Sequence, residues 1–222
     1  VIRSRVKGCE TINCNQVIDG VHIWRAALDE DGWPGPEELP PDDQRRAESL
    51  LRRGAARRWA AGRWALRRTL AQYLDQPAAE IGLEPDQRGK PRLRGEGSGL
   101  EFNLTHSAGL ALVAVTAERA VGIDVEMIAP RENPLALAER ALPPEEAAEV
   151  RAADDAQQLN AFYRAWVRHE ARLKCLGTGL GSIAPTGAVA ITTVEVGPEY
   201  AAAVAVAGSQ VGPLRCRTLR AG

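Results

Sequence analysis

Val121-Gly-Ile-Asp-Val-Glu126 sets two carboxylates two positions apart in a run of small and β-branched residues. Strand side chains alternate between faces, so Val121, Ile123 and Val125 point into a core while Gly122, Asp124 and Glu126 share the other side. Paired carboxylates at this spacing offer oxygen ligands to one hard divalent cation, and Gly122 leaves room beside them for the phosphates of a bulky ligand. A half-buried strand with a solvated acidic face fits the same pattern, and is the commoner arrangement when the pair stands alone. The neighbouring segments decide between the two.

Upstream, Leu110–Thr116 reads as a strand, and with Val121–Glu126 it predicts a hairpin joined around Glu118-Arg119. Before it, Glu101-Phe-Asn-Leu-Thr105 is extended and runs into His106, Ser107 and a turn at Ala108-Gly109. The hairpin brings the imidazole, the hydroxyls and the two carboxylates towards one sheet edge. Arg88-Gly-Lys-Pro91 predicts a tight turn displaying Lys90 at its tip. Further back, Leu51, Ala55, Trp59, Gly62, Leu66, Leu70 and Tyr73 step by three or four, the spacing of an apolar helix stripe. Arginines from Arg45 to Arg68 crowd its flanks; most belong to a solvated face, and one beside the stripe can meet a phosphate. Val21–Arg25 alternates as a strand, and Asp42 or Asp43 caps the helical region.

Downstream, Ile128–Asn133 reads as a linker, followed by helical stretches over Pro134–Arg140 and Pro144–Ala153. Ala161–Lys174 is a further helix, on which Glu170 and Lys174 lie four apart, one turn along the same face. A surface ion pair accounts for that spacing as well as a site does. Gly177-Thr-Gly-Leu-Gly181 ends the helix with residues that permit left-handed backbone and close ligand approach. Ala188–Val196 and Tyr200–Ala207 predict a second hairpin, and Leu214–Leu219 a last strand. Helix followed by hairpin thus occurs twice, predicting an α+β fold of two similar α/β halves related by a pseudo-twofold, with a cleft between them. The halves divide as residues 1–130 and 131–222.

At 222 residues the chain can bury a full core, and 45% hydrophobic with 26% charged residues is ordinary for a soluble protein. A formal net charge of -1 argues against a partner gripped by bulk positive charge. Cys9, Cys14, Cys175 and Cys216 show no C-x-x-C pairing and read as free thiols. The segment Val1–Gln16 has no periodicity and reads as a loose tail. The longest apolar stretches, Leu110–Val115 and Ala201–Ala207, are too short to span a bilayer, and no apolar N-terminal run resembles a signal peptide, so a cytoplasmic protein is expected.

Three blocks in order resemble the signature of the Sfp-type 4'-phosphopantetheinyl transferases: Gly89-Lys-Pro91 with Phe102-Asn-Leu-Thr-His-Ser107, then Val121–Glu126, then Trp166-Val-Arg-His-Glu-Ala171 with Lys174 and Gly177-Thr-Gly-Leu180. The resemblance spans roughly residues 20 to 207, and three blocks at family spacing are far more specific than one. It implies two similar α+β halves with coenzyme A in the cleft. The implied reaction is transfer of the phosphopantetheine arm of coenzyme A to a serine of an apo acyl or peptidyl carrier protein, releasing adenosine 3',5'-bisphosphate.

Carried over residue by residue, the resemblance makes Asp124, Glu126 and Glu170 ligands of Mg²⁺. Lys174 and His106 meet the pyrophosphate, with Thr105 beside them; Lys90 contacts the nucleotide end and Arg58 its 3'-phosphate. Glu170, directly or through a metal-bound water, becomes the base for the carrier serine, and Glu170, Lys174 and His106 form the catalytic set. Two departures from the family pattern stand out: Thr105 where serine is usual, and His169 where lysine is usual, which replaces a permanent charge with a titrating group. A monomer is expected, since both halves lie in one chain, with neither a nucleic-acid nor a membrane partner. Three alternatives remain: a nucleic-acid binder using the Arg45–Arg68 helix, which would not need Glu170; a different Mg²⁺-dependent phosphoryl enzyme; and a relative that binds coenzyme A without transferring from it.

Overall fold

The computed structural model describes residues 18–50, 53–86, 89–95, 99–178 and 187–222. The tail with Cys9 and Cys14, Leu51, Arg52, Arg88 and the glycine-rich residues 179–181 lie outside the described residues. Two sheets form the centre. In the first, β4 (Leu100–Ser107), β5 (Leu110–Ala117), β1 (Val21–Ala27) and β9 (Leu214–Leu219) lie side by side in that order. The second has the order β6 (Val121–Met127), β8 (Tyr200–Ala207), β7 (Val189–Thr193). A separate short hairpin joins β2 (Leu83–Pro85) to β3 (Pro91–Leu93).

Alternation along each strand assigns its two faces. Val21 and Ile23 of β1 and Leu110, Leu112 and Ala114 of β5 pack with Ile123, Val204 and Val206, so the two sheets share one core. The opposite face of the first sheet, with Trp24, Val113 and Val115, is covered by Leu66 and Leu70 of α2 (Arg53–Ala71). The opposite face of the second, with Ala201, Ala203 and Ala205, is covered by α5 (Asp155–Leu176), which in turn packs with α3 (Pro134–Ala141) and α4 (Pro144–Ala152). The order helix, sheet, sheet, helix makes two α/β subdomains in an α+β fold, consistent with the expected pseudo-twofold. Among the described residues no helix is long and apolar enough to cross a membrane.

Several expectations need correction. β5 and β6 do not form a hairpin: β5 is flanked by β1 and β4, which leaves it no free edge, and β6 pairs antiparallel with β8 instead. Glu118, at φ 55°, lies in the link where the chain changes sheets. The basic helical region is two helices, and α1 (Pro41–Glu48) begins at a proline, whose missing N–H costs nothing at that position. Asp43 is not a cap but a buried acid, accepting from Arg63 Nε at 3.0 Å and from Arg67 Nη2 at 2.9 Å. Arg67, buried and also donating to the Ile81 carbonyl, leaves the solvated arginine face for the interior. The β7–β8 hairpin, the helices over residues 134–141 and 144–152, and the left-handed Gly177 ending α5 at φ 63° match the sequence reading. Cys175 and Cys216 are free.

Candidate active site

β4 and β6 are edge strands of different sheets, and they meet through side chains. Asn103, Thr105 and Ser107 alternate onto the face of β4 that looks towards β6. Asn103 Oδ1 accepts from the Ile123 amide at 2.9 Å, and Ser107 Oγ accepts from the Met127 amide at 3.0 Å. Ser107 also donates to Glu126 Oε2 at 2.8 Å, and Thr105 donates to Asp124 Oδ1 at 3.1 Å. The expected gathering is therefore present for the hydroxyls and carboxylates, by a seam between sheets rather than within a hairpin, but the His106 imidazole is not part of it.

On its other side β6 meets α5. A β-carbon at Gly122 would overlap the Ala171 carbonyl and the Cys175 amide. The space beside Gly122 is thus filled by helix backbone, not left for a ligand's phosphates, and the residue is glycine because α5 lies directly on it. That contact delivers Lys174, whose Nζ donates to Asp124 Oδ1 at 2.6 Å and to Thr105 Oγ1 at 3.3 Å. Lys174 reaches across to β6 in place of a simple surface pair along the helix.

Asp124 is 4% exposed, and its burial raises its carboxyl pKa above the usual range, against the pull of Lys174. Burial raises Glu126 too, opposed by the Ser107 hydrogen bond. Glu170 is raised first by burial, then by the charges of Asp124 and Glu126, with Lys174 opposing. The three carboxylates therefore share one electrostatic neighbourhood. Among the described residues, Asp124 Oδ2 and Glu170 Oε1 are buried with no hydrogen-bond partner. No group of three or more His, Cys, Asp or Glu side chains among those residues stands ready-made in metal-holding geometry. Two partnerless anionic oxygens beside a third carboxylate are nonetheless the donor chemistry that a hard divalent cation requires, so the residues fit one.

The remaining candidates lie around this junction. His106, next to Thr105 on the strand, points to the opposite face of β4, where Gly62 of α2 approaches its ring. Burial and then the Lys174 charge lower its pKa below the usual imidazole value. Arg58, on the exposed side of α2, forms a two-pronged pair with Asp29 at 2.7 and 2.8 Å. Lys90 is not displayed at a turn tip: its ammonium turns inward to the carbonyls of Val121 and Lys174 at 3.2 and 3.4 Å, and burial lowers its pKa. It thereby ties the β2–β3 hairpin to the start of β6 and the end of α5. His169 faces Glu146 of α4 at 3.7 Å, away from the carboxylate group. Sequence reasoning assigned no role to Asn103 or Ser107, although their alternation with Thr105 was a usable signal. Arg131 was also missed; its charge reaches Glu126, and its Nε donates to Tyr163 at 3.1 Å.

Comparison with known proteins follows the same lines. The family description "4'-phosphopantetheinyl transferase superfamily" matches residues 120–209, which include β6, α5 and the β7–β8 hairpin. The 4'-phosphopantetheinyl transferase HetI of Nostoc sp. is 35% identical over 221 residues, covering 88% of this chain and 91% of that protein. The 4'-phosphopantetheinyl transferase AcpT of Salmonella typhimurium is 41% identical over 91 residues, covering 41% and 47%. The L-aminoadipate-semialdehyde dehydrogenase-phosphopantetheinyl transferase of Xenopus laevis is 30% identical over 151 residues, covering 64% and 50%. With similarity to HetI running nearly end to end, and the family match lying on the strand and helix that supply Asp124, Glu126, Glu170 and Lys174, the chain belongs to the 4'-phosphopantetheinyl transferase superfamily.

Proposed function

We propose that the junction of β4, β6 and α5 transfers the 4'-phosphopantetheinyl group of coenzyme A to a serine hydroxyl of an apo acyl or peptidyl carrier protein. The serine oxygen forms a bond to the β-phosphorus as the bond to the adenosine-bearing phosphate breaks, and adenosine 3',5'-bisphosphate leaves. The observation that carries this reading is the meeting of Asp124, Glu126 and Glu170 with Lys174 at one seam. Asp124, Glu126 and Glu170 would hold Mg²⁺, which when bound supplies positive charge at the pyrophosphate. Lys174 adds a fixed ammonium where charge spreads over phosphoryl oxygens, and His106 donates a hydrogen bond from the α2 side of β4. Thr105 orients both Lys174 and Asp124. Glu170 accepts the serine proton; burial raises its pKa and makes it a stronger base than an ordinary carboxylate.

Arg58 takes the 3'-phosphate, and Lys90 supports the nucleotide end by bracing the hairpin beside it. Along the chain, residues 1–130 supply the nucleotide contacts with Asp124 and Glu126, and residues 131–222 supply Glu170 and Lys174. The enzyme acts in the cytoplasm as a monomer, without nucleic-acid or membrane partners. Intact-mass spectrometry of an apo carrier protein incubated with enzyme, coenzyme A and Mg²⁺ tests the reading. One added phosphopantetheinyl group, lost with chelator and with Glu170→Ala, is expected. No gain across fatty-acid, polyketide and peptide carriers would leave coenzyme A binding without transfer.

A further inference from the structure

Arg58 meets a carboxylate before it meets any substrate. Its Nε and Nη2 donate to the two oxygens of Asp29 at 2.7 and 2.8 Å, so the fork that suits a phosphate is already engaged. Asp29 is an exposed acid carried on a fixed stretch of backbone. The Leu28 amide, one residue earlier, is tied to the Gly109 carbonyl at 2.7 Å, and Leu28 itself is buried. A β-carbon at Gly109 would lie 2.6 Å from Asp29 Oδ2, so the carboxylate sits directly over Gly109. The pair lines a cavity of about 310 Å³ whose wall also holds Glu30, Asp31, Trp33 and Arg57.

We infer that Asp29 is a specificity-determining residue that competes with the 3'-phosphate of coenzyme A for Arg58; this rests on the reading of the protein as a coenzyme A-dependent transferase. The logic is geometric. Any phosphate that takes the Arg58 guanidinium comes within contact range of a carboxylate already bonded to the same nitrogens, and Glu30 and Asp31 on the same wall add repulsion that Arg57 offsets in part. The phosphate must displace Asp29 or share the guanidinium with it, and in both cases binds less tightly than to a free arginine. Both coenzyme A and adenosine 3',5'-bisphosphate carry the 3'-phosphate. Asp29 therefore lowers preference for coenzyme A over its 3'-dephospho form, and it hastens departure of the spent nucleotide.

Calorimetric affinities for coenzyme A and 3'-dephospho-coenzyme A, in the full chain and its Asp29→Asn, Arg58→Ala and doubly substituted variants, test this. The ratio favouring coenzyme A is expected to rise about fivefold in Asp29→Asn, the scale of an exposed charge pair. It should collapse in Arg58→Ala, and Asp29→Asn should then add nothing. A ratio that is unchanged or lower in Asp29→Asn would show that Asp29 aims Arg58 rather than opposing the phosphate, and would overturn the inference. So would an effect of Asp29→Asn that persists without Arg58. Carrier modification by the unsubstituted enzyme tests the underlying activity separately. Transfer with an unmoved ratio defeats only the role of Asp29, and binding without transfer defeats only the activity.

Discussion

Three carboxyls held above their usual pKa are a cost the folded chain carries for its chemistry. For each, the folded state binds the proton more tightly than the unfolded state, so the stability they contribute is fully present below the unfolded pKa. It is lost as pH rises through the raised folded values, above which the ionised cluster opposes folding. Glu170→Gln in metal-free buffer is therefore expected to raise the melting temperature at pH 7 by about 2–4 °C, with little gain near pH 4. The same change should lower transfer by roughly 10²- to 10⁴-fold, the usual contribution of a general base. Thermal melts at two pH values beside carrier-modification rates check both halves. The gathering of Asp124, Glu126, Glu170 and Lys174 could be anticipated from spacing and motif, because a strand period and a helix turn place them on facing sides of one contact. The inward turn of Lys90 and the burial of Arg67 could not, since a long cationic side chain reads as solvent-facing until tertiary packing closes over it.

Strand and helix existence followed from period, and partners did not. Alternation in Leu110–Thr116 and Val121–Glu126 correctly marks two strands, but adjacency in sequence suggests a hairpin where β1 has already taken the free edge of β5. Only long-range pairing decides that, and no local pattern records it. Gly122 shows the same limit in miniature: the sequence says that space is needed, and the structure says that a helix uses it. Gly122→Ala is expected to force α5 off β6, because the new methyl meets backbone at Ala171 and Cys175 rather than a side chain that could rotate away. A loss of about 1–3 kcal/mol or more in denaturant stability should follow. Transfer should fall with it as Lys174 leaves Asp124, and a stable, active variant would refute the account of this contact.

The two halves depend on each other more than a division at residue 130 suggests. β6, encoded in the first, completes the second sheet against β8; β9, encoded in the second, lies parallel to β1 in the first. Residues 1–130 and 131–222 expressed apart are accordingly expected to be unfolded by circular dichroism. Expressed together they should co-elute and regain carrier modification, whereas independently folded fragments would show that the strand exchange is dispensable. The sequence rhyme of helix and hairpin pointed to a pair of halves even though its first hairpin, β5 with β6, does not form; the exchange of strands was not visible, because it alters no local period. One consequence follows from the seam between β4 and β6. A backbone ladder is indifferent to side-chain identity, so ordinary substitution cannot loosen it one rung at a time. Here Asn103, Thr105 and Ser107 perform that task themselves, and the spacing between the two sheets is thereby written in three replaceable letters, open to gradual adjustment by mutation while both sheets stay intact.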